Sequence, residues 1–165
     1  MDGWSVTEYV DVRQQARKHG LHLTSELVLL PRGFERSGIE LAHEADAATV
    51  RKLLKVAGLD VQQLQYPDRR LPSVVQRSAD WIGPTLFVGS MLLSQSPQVT
   101  QIALGVISSY VSDTLKGKNF GGSVTLDVVI EETKSKTYRR IHYEGPPSGL
   151  KDLPQVLREL QNESR

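Results

Sequence analysis

The feature that most constrains the fold of this chain is a stretch without charge, since Trp81 to Ser112 contains no acidic or basic residue. Solvent-facing segments normally carry Lys and Glu, so a stretch of this length must be covered by something. Crossing the hydrocarbon of a membrane takes about 20 consecutive apolar residues. Ser94 to Gln98 divides the stretch into pieces of roughly 13 to 15 residues, which is too short. We therefore expect a central uncharged helical pair over residues 73–115, with a kink or a break into two pieces at Gly83-Pro84, and regard a membrane span as the weakest interpretation.

Three interpretations of this helical pair stay open: core, contact surface for a protein partner or a second copy, and membrane-contacting segment over residues 81–111. The second helix should begin at Ser96-Pro97, because a capping hydroxyl followed by a first-turn proline favours a helix start. Opposite the apolar face of that helix lie small or uncharged residues, at the spacing that lets another helix come close. We predict four of them as interface residues: Gln101, Gly105, Ser108 and Ser112.

Composition restricts the classes of function. The chain has 165 residues, which suits a single domain (1–165), and its 20 basic and 19 acidic residues leave a net charge of +1. No global field therefore draws it to nucleic acid or to an anionic membrane. The absence of cysteine excludes disulfides, thiol nucleophiles and thiolate metal sites, and with no signal-peptide pattern at the N-terminus it favours the cytoplasm.

The flanking segments predict the rest of the architecture. Ser5 to Glu8 has the pattern of a capping box, which predicts a helix to about His19 that ends at Gly20. Strand-like residues 27–30 and 61–65 flank a helical pattern over 47–57, so residues 1–65 should hold an N-terminal helix and a βαβ unit. The prolines and charges of residues 66–72 predict a linker.

After the helical pair, residues 116–165 predict a hairpin and a closing helix. Val124, Leu126, Val128 and Ile130 alternate with polar residues as in a half-buried strand, and residues 138–144 should pair with it. Leucine spacing over 153–160 predicts the last helix. The fold class is therefore α+β, with a small mixed sheet of a βαβ unit and a C-terminal antiparallel hairpin, covered by helices.

The hairpin carries the second candidate site. Cations interleaved with aromatic residues can bind phosphates and stack on bases, so we predict nucleic-acid or anionic-ligand binding as the alternative function. The candidate residues are Lys134, Lys136, Tyr138, Arg139, Arg140 and His142. Strand alternation, however, places Tyr138, Arg140 and His142 on one face and Arg139 on the other, and Glu131 or Glu132 can neutralise part of the charge.

No catalytic or metal site is predicted. His43-Glu44 lacks the second histidine of a zinc-protease helix, and Asp46 is placed to cap the helix that follows. The segment from Lys116 to Gly122 lacks the Lys-Ser or Lys-Thr ending of a phosphate-binding loop. We expect no cofactor, and a binding role in preference to an enzymatic one.

The order of elements from about Glu26 to Leu160 resembles the small effector-associated constant components of bacterial conflict systems. In that family the order of elements is a strand–helix–strand unit, an uncharged helical region, a hairpin and a short closing helix. The resemblance implies a non-enzymatic adaptor, in the cytoplasm of bacteria, that joins a sensor or protease to an effector in antiviral defence. The resemblance concerns the order of the secondary-structure elements and identifies no functional residue. The N-terminal helix and the longer uncharged region depart from it.

Overall fold

The computed structural model describes residues 3–75, 80–115, 123–132 and 137–163. The strands in these residues are β1 (Trp4–Tyr9), β2 (Leu27–Leu30), β3 (Gln62–Gln63), β4 (Trp81–Ile82), β5 (Thr85–Val88), β6 (Val124–Glu132) and β7 (Thr137–Gly145). The helices are α1 (Val12–His19), α2 (Ala47–Val56), α3 (Ser90–Gln95), α4 (Pro97–Leu115) and α5 (Leu153–Glu163), with a 3₁₀ segment over Pro147–Asp152 before α5. The predicted α+β class is confirmed.

All the described strands belong to one mixed sheet, in the order β1-β7-β6-β5-β2-β3, with β4 also paired to β6. β2 and β3 are parallel with α2 between them, which confirms the βαβ unit. β6 and β7 pair antiparallel along their whole length, which confirms the hairpin; its predicted turn, residues 133–136, lies outside the described residues. The sheet is larger than the roughly four strands expected, because β1, β4 and β5 were not foreseen.

The sheet separates two apolar cores. On one face Val124, Leu126, Val128 and Ile130 of β6 pack with the buried sides of α2, α4 and α5. On the other face Val129 joins Phe87 and Tyr138, and this smaller core is closed by α1 and by loop residues such as Phe34 and Leu71. Side chains alternate across the sheet, so each face presents its own set of residues to its own covering layer.

The N-terminal helix predicted from Ser5 is wrong over its first part. Trp4 to Tyr9 form β1, which pairs residue by residue with β7, and the Trp4 ring stacks on Tyr143 with centroids 4.5 Å apart. α1 begins only at Val12, where the Asp11 carboxylate accepts a 3.0 Å hydrogen bond from the Gln14 amide. Pairing with the open edge of β7 outweighs a local capping pattern, which contributes only about 1 kcal/mol. The predicted end at Gly20 is confirmed by its left-handed backbone.

The central uncharged helical pair is also partly wrong. Residues 81–82 and 85–88 form β4 and β5, and the helices of this stretch, α3 and α4, follow them. β5 is almost fully buried, and a short strand covered on both faces reads as a continuous apolar run that periodicity cannot distinguish from a helix. The predicted start of the second helix at Ser96-Pro97 is confirmed by α4. Residues 76–79 lie outside the described residues.

Gly83-Pro84 interrupts a strand and does not kink a helix. Ile82 pairs with Thr125, whereas Leu86 pairs with Val128, so β4–β5 has one residue more than the facing segment of β6. Proline cannot donate to the ladder, and such an insertion locally opens and twists a sheet. The interruption leaves a recess above β6.

The segment 66–72 contains neither helix nor strand, as its prolines predicted, but it packs against the domain. Leu71 is buried in the smaller core, and its amide donates to the Gln65 side-chain oxygen over 2.6 Å. Among the described residues, no helix is long and apolar enough to cross a membrane.

The buried carboxylate of Glu131 on β6 links α1, the start of α3 and β7. Glu131 accepts hydrogen bonds from the Arg13 guanidinium at 2.8 and 3.0 Å, from the Ser90 amide and hydroxyl at 3.0 and 3.1 Å, and from the Tyr138 hydroxyl at 2.6 Å. Burial raises the pKa of Glu131, but these donors outweigh it and hold the pKa at about 2, below its ordinary value of 4.5. Arg13 also pairs with Glu26 at 2.8 Å.

We predict that Glu131→Gln lowers the free energy of unfolding by about 3 kcal/mol near neutral pH, since it removes the charge that the donors stabilise. Because the folded pKa lies below the unfolded one, this stabilisation is complete above the ordinary pKa and is lost as pH falls toward 2. Urea unfolding near pH 7 and near pH 3 should therefore show a smaller gap between variant and wild type in acid.

The matched control is Glu40→Gln, which removes a carboxylate from an exposed loop and should leave stability unchanged at both pH values. A gap between Glu131→Gln and wild type that stays constant with pH would contradict the proposed ionic role of Glu131.

Candidate functional site

A groove of about 540 Å³ runs between α2 and α4 on the outer side of the helical layer. α2 begins beside the C-terminal half of α4, where the charge of Asp46 acts on Tyr110. It runs antiparallel to α4, since α2 connects the parallel strands β2 and β3, α4 lies between the parallel strands β5 and β6, and β2 is antiparallel to β5. Leu53 of α2 and Ile102 of α4 line the groove. The remaining lining residues, all on α4, are Gly105, Val106, Ser109, Tyr110 and Asp113.

The structure gives the four predicted interface residues different positions. Gln101, Gly105 and Ser112 are exposed and Ser108 is half-buried, so the face they share is at least partly open. Only Gly105 lines the groove. The open face of α4 is centred on Ile102, Gly105 and Ser109, because the buried side of the helix is formed by Thr100, Ala103, Leu104, Ile107 and Val111.

The apolar pattern of α4 predicts Ile102 on the buried face, whereas the structure leaves Ile102 exposed, and Ser109 is not among the four predicted interface residues. Ile102 and Ser109 lie three residues before and four residues after Gly105, so helical spacing places all three on one side. Spacing alone does not select this side as the open one, because α4 is apolar or uncharged around most of its circumference.

The groove leaves an apolar side chain in contact with solvent, since Ile102 is 45% exposed. Val56 at the end of α2, outside the lining of the groove, is 86% exposed. Gly105 lies at the centre of the open face, and a Cβ added to it would meet nothing within 4 Å. A helix without a side chain at that point can be approached closely by another helix.

Asp113 is the charged residue among those that line the groove, and it is exposed near the C-terminal end of α4. On α2, Lys55 is exposed near the C-terminal end, and Arg51 and Lys52 are exposed in the middle of the helix. The middle of the groove is uncharged. The two ends of the groove therefore differ in the sign of their charge.

Asp46 holds the helices of the groove in place. Its carboxylate accepts a 2.7 Å hydrogen bond from the buried Trp81 indole, and its charge acts on the Tyr110 hydroxyl. Burial, together with the negative charge of Asp46, raises the pKa of the Tyr110 hydroxyl, which therefore stays a donor. Asp46 precedes α2 as predicted, but its side chain makes no capping hydrogen bond, because it is used in these contacts.

The residues of the hairpin site do not form one surface. Tyr138 is buried and donates to Glu131, Arg139 pairs with Glu132 at 3.2 Å, and His142 contacts Asp127 at 2.5 Å. Arg139 lies on the face opposite to Tyr138, Arg140 and His142, as alternation predicted. Arg140 lines a separate pocket. Lys134 and Lys136 lie outside the described residues.

The histidine–acid segment is engaged in structural contacts. His43 is fully buried and its Nε2 lies 2.6 Å from the Leu64 carbonyl, while burial lowers the pKa of its ring. Glu44 forms a two-bond ion pair with Arg32 at 2.5 and 3.1 Å. Within the described ranges, no group of three or more His, Cys, Asp or Glu is placed to hold a metal ion.

The chain has no match among protein-family models, curated proteins or solved structures. The resemblance to effector-associated constant components therefore stays a prediction. The function has to be argued from the residues themselves.

We predict that Asp46→Ala lowers the free energy of unfolding by about 1–3 kcal/mol, because the buried Trp81 indole N–H loses its acceptor. Asp46→Asn should recover part of this loss, since its amide oxygen still accepts a hydrogen bond. Thermal unfolding followed by tryptophan fluorescence measures both. Glu40→Ala, which removes an exposed acid from a loop outside the groove, is the control; an equal loss in that variant would refute the specific role of Asp46.

Proposed function

We propose that this chain is a non-enzymatic assembly module whose α2–α4 groove binds the same groove of a second copy. The observation that carries the proposal is the open, uncharged face around Gly105. A solvated helix face normally carries charged residues, whereas this one presents Ile102, Gly105 and Ser109. Removing such a face from water costs little desolvation free energy, and the burial of its apolar atoms stabilises the contact.

The arrangement of charge favours a second copy as the occupant. A two-fold contact centred on Gly105 would cross the two α4 helices antiparallel and place Asp113 of one copy near the N-terminal end of α4 in the other. Lys55 and Val56 of the second copy lie toward that end, since α2 runs antiparallel to α4. Opposite charges would then meet at both margins, and the uncharged middle creates no repulsion between identical faces.

The biological setting that we propose is a cytoplasmic adaptor in bacterial antiviral defence. It rests on the resemblance in layout, in which β2–α2–β3, α4, the β6–β7 hairpin and α5 stand in the expected order. The lack of cysteine is compatible with a reducing compartment. The strands β1, β4 and β5 are departures from that layout.

We predict that the purified protein has a solution mass that is a multiple of 18.4 kDa, measured by light scattering after size exclusion. Gly105→Glu should weaken this association at least tenfold, because it places two like charges at the centre of the contact. The variant should still fold, since Glu has a higher helix propensity than Gly and the added side chain has open space.

The matched control is Gln14→Glu, which adds the same charge to an exposed position of α1, on the opposite side of the sheet. Its mass should equal that of the wild type. A monomeric wild type, or an oligomer that Gly105→Glu leaves intact while circular dichroism shows a folded chain, would refute the second copy as occupant.

A further inference from the structure

A polar pocket of about 300 Å³ lies on the face of the sheet opposite to the groove. It occupies the recess that the Gly83-Pro84 interruption leaves above β6, and Thr85, Thr125 and Asp127 form its floor. Tyr9 and Glu35 form part of its wall. The pocket is distant from α4, so it is independent of the proposed assembly.

Arg140 is the unusual residue of this pocket. Its Nε atom is buried without a hydrogen-bond partner, and no ion pair to its guanidinium is found in the described part of the chain. Its neighbours across the strands are Val129 and Thr7, neither of which carries charge. An arginine cannot lose its proton, and a buried N–H without an acceptor is costly. The Arg140 Nε–H is therefore free to donate to a ligand that carries an acceptor.

Other arginines near the pocket and the hairpin are paired. Arg32, which also lines the pocket, is held by both oxygens of Glu44, and Arg139 is paired with Glu132. The isolation of Arg140 is therefore specific to its position. The planar guanidinium matches a carboxylate in a two-bond arrangement.

The acids in the wall restrict the class of anion. Asp127 contacts His142 through one oxygen, and Glu35 has the Tyr9 hydroxyl at 3.4 Å and the Arg36 Nε atom at 4.0 Å. Both carboxylates line the pocket, where a dianion such as phosphate would be repelled. An ammonium group would be attracted to them. Burial and the charge of Glu35 raise the pKa of Tyr9, so its hydroxyl stays a donor.

We propose that this pocket binds a small zwitterion of the amino-acid class, with its carboxylate on Arg140 and its ammonium group toward Asp127 and Glu35. The hydroxyls of Thr85 and Thr125 supply further hydrogen bonds to either end. The volume, at the lower end of the range for ligand pockets, suits a molecule of this size.

The test is an NMR titration of the ¹⁵N-labelled chain that follows the Arg140 Nε–H signal. The probes are glycine and β-alanine as zwitterions, acetate as a carboxylate, ethylammonium as a cation and inorganic phosphate as a dianion. We expect a saturable shift with a zwitterion, and affinity at least tenfold weaker for acetate, ethylammonium and phosphate. Phosphate that binds more tightly than both zwitterions, or the absence of a saturable shift with any probe, would overturn the proposal.

Arg140→Gln should abolish the response, whereas Arg158→Gln, which removes an exposed charge from α5, should keep it. Without ligand, Arg140→Gln should melt at or above the temperature of the wild type, because it removes a buried donor that has no acceptor. A clearly lower melting temperature would identify Arg140 as a structural residue and count against the proposal.

Discussion

The buried carboxylate of Glu131 is the interaction on which the rest of the structure depends. It lies on the central strand β6, and its donors come from α1, from the start of α3 and from β7. Removing a carboxylate from water costs several kcal/mol, and the cost is offset here because both oxygens are hydrogen-bonded. Gly89 is part of the same arrangement, since a Cβ there would overlap the carboxylate of Glu26, the second partner of Arg13.

This network determines where the two candidate sites lie. By fixing Ser90 it sets the point at which the chain leaves the sheet, so α3 and α4 cover the face of Leu126 and Val128. By fixing Arg13 it holds α1 over the opposite face, beside Phe87. The groove at Gly105 and the pocket at Arg140 therefore belong to different layers. The sheet lies between them, so the residues of one site do not contact those of the other.

The two sites also differ in the kind of physical signal that they carry. The groove is recognised by apolar and small side chains that are exposed to solvent, with charges at its margins. The pocket is recognised by the Arg140 Nε atom, which is buried without a hydrogen-bond partner beside two carboxylates. Folding alone favours neither arrangement, because exposed Ile102 and unpaired Arg140 both raise the free energy of the isolated chain.

The sequence by itself determined the elements whose signals are local. Ser96-Pro97 marked the start of α4, Gly20 the end of α1, and the alternation from Val124 to Ile130 a half-buried strand, because capping, backbone conformation and side-chain period depend on near neighbours. Only the tertiary structure decided that Trp4 to Tyr9 pairs with β7 and that residues 81–88 are strands. In both segments long-range pairing outweighs local preference. The isolation of Arg140 is likewise tertiary. Arg139, the preceding residue, faces the other side of the sheet and pairs with Glu132, whereas Arg140 faces a pocket whose lining comes from several separate segments of the chain.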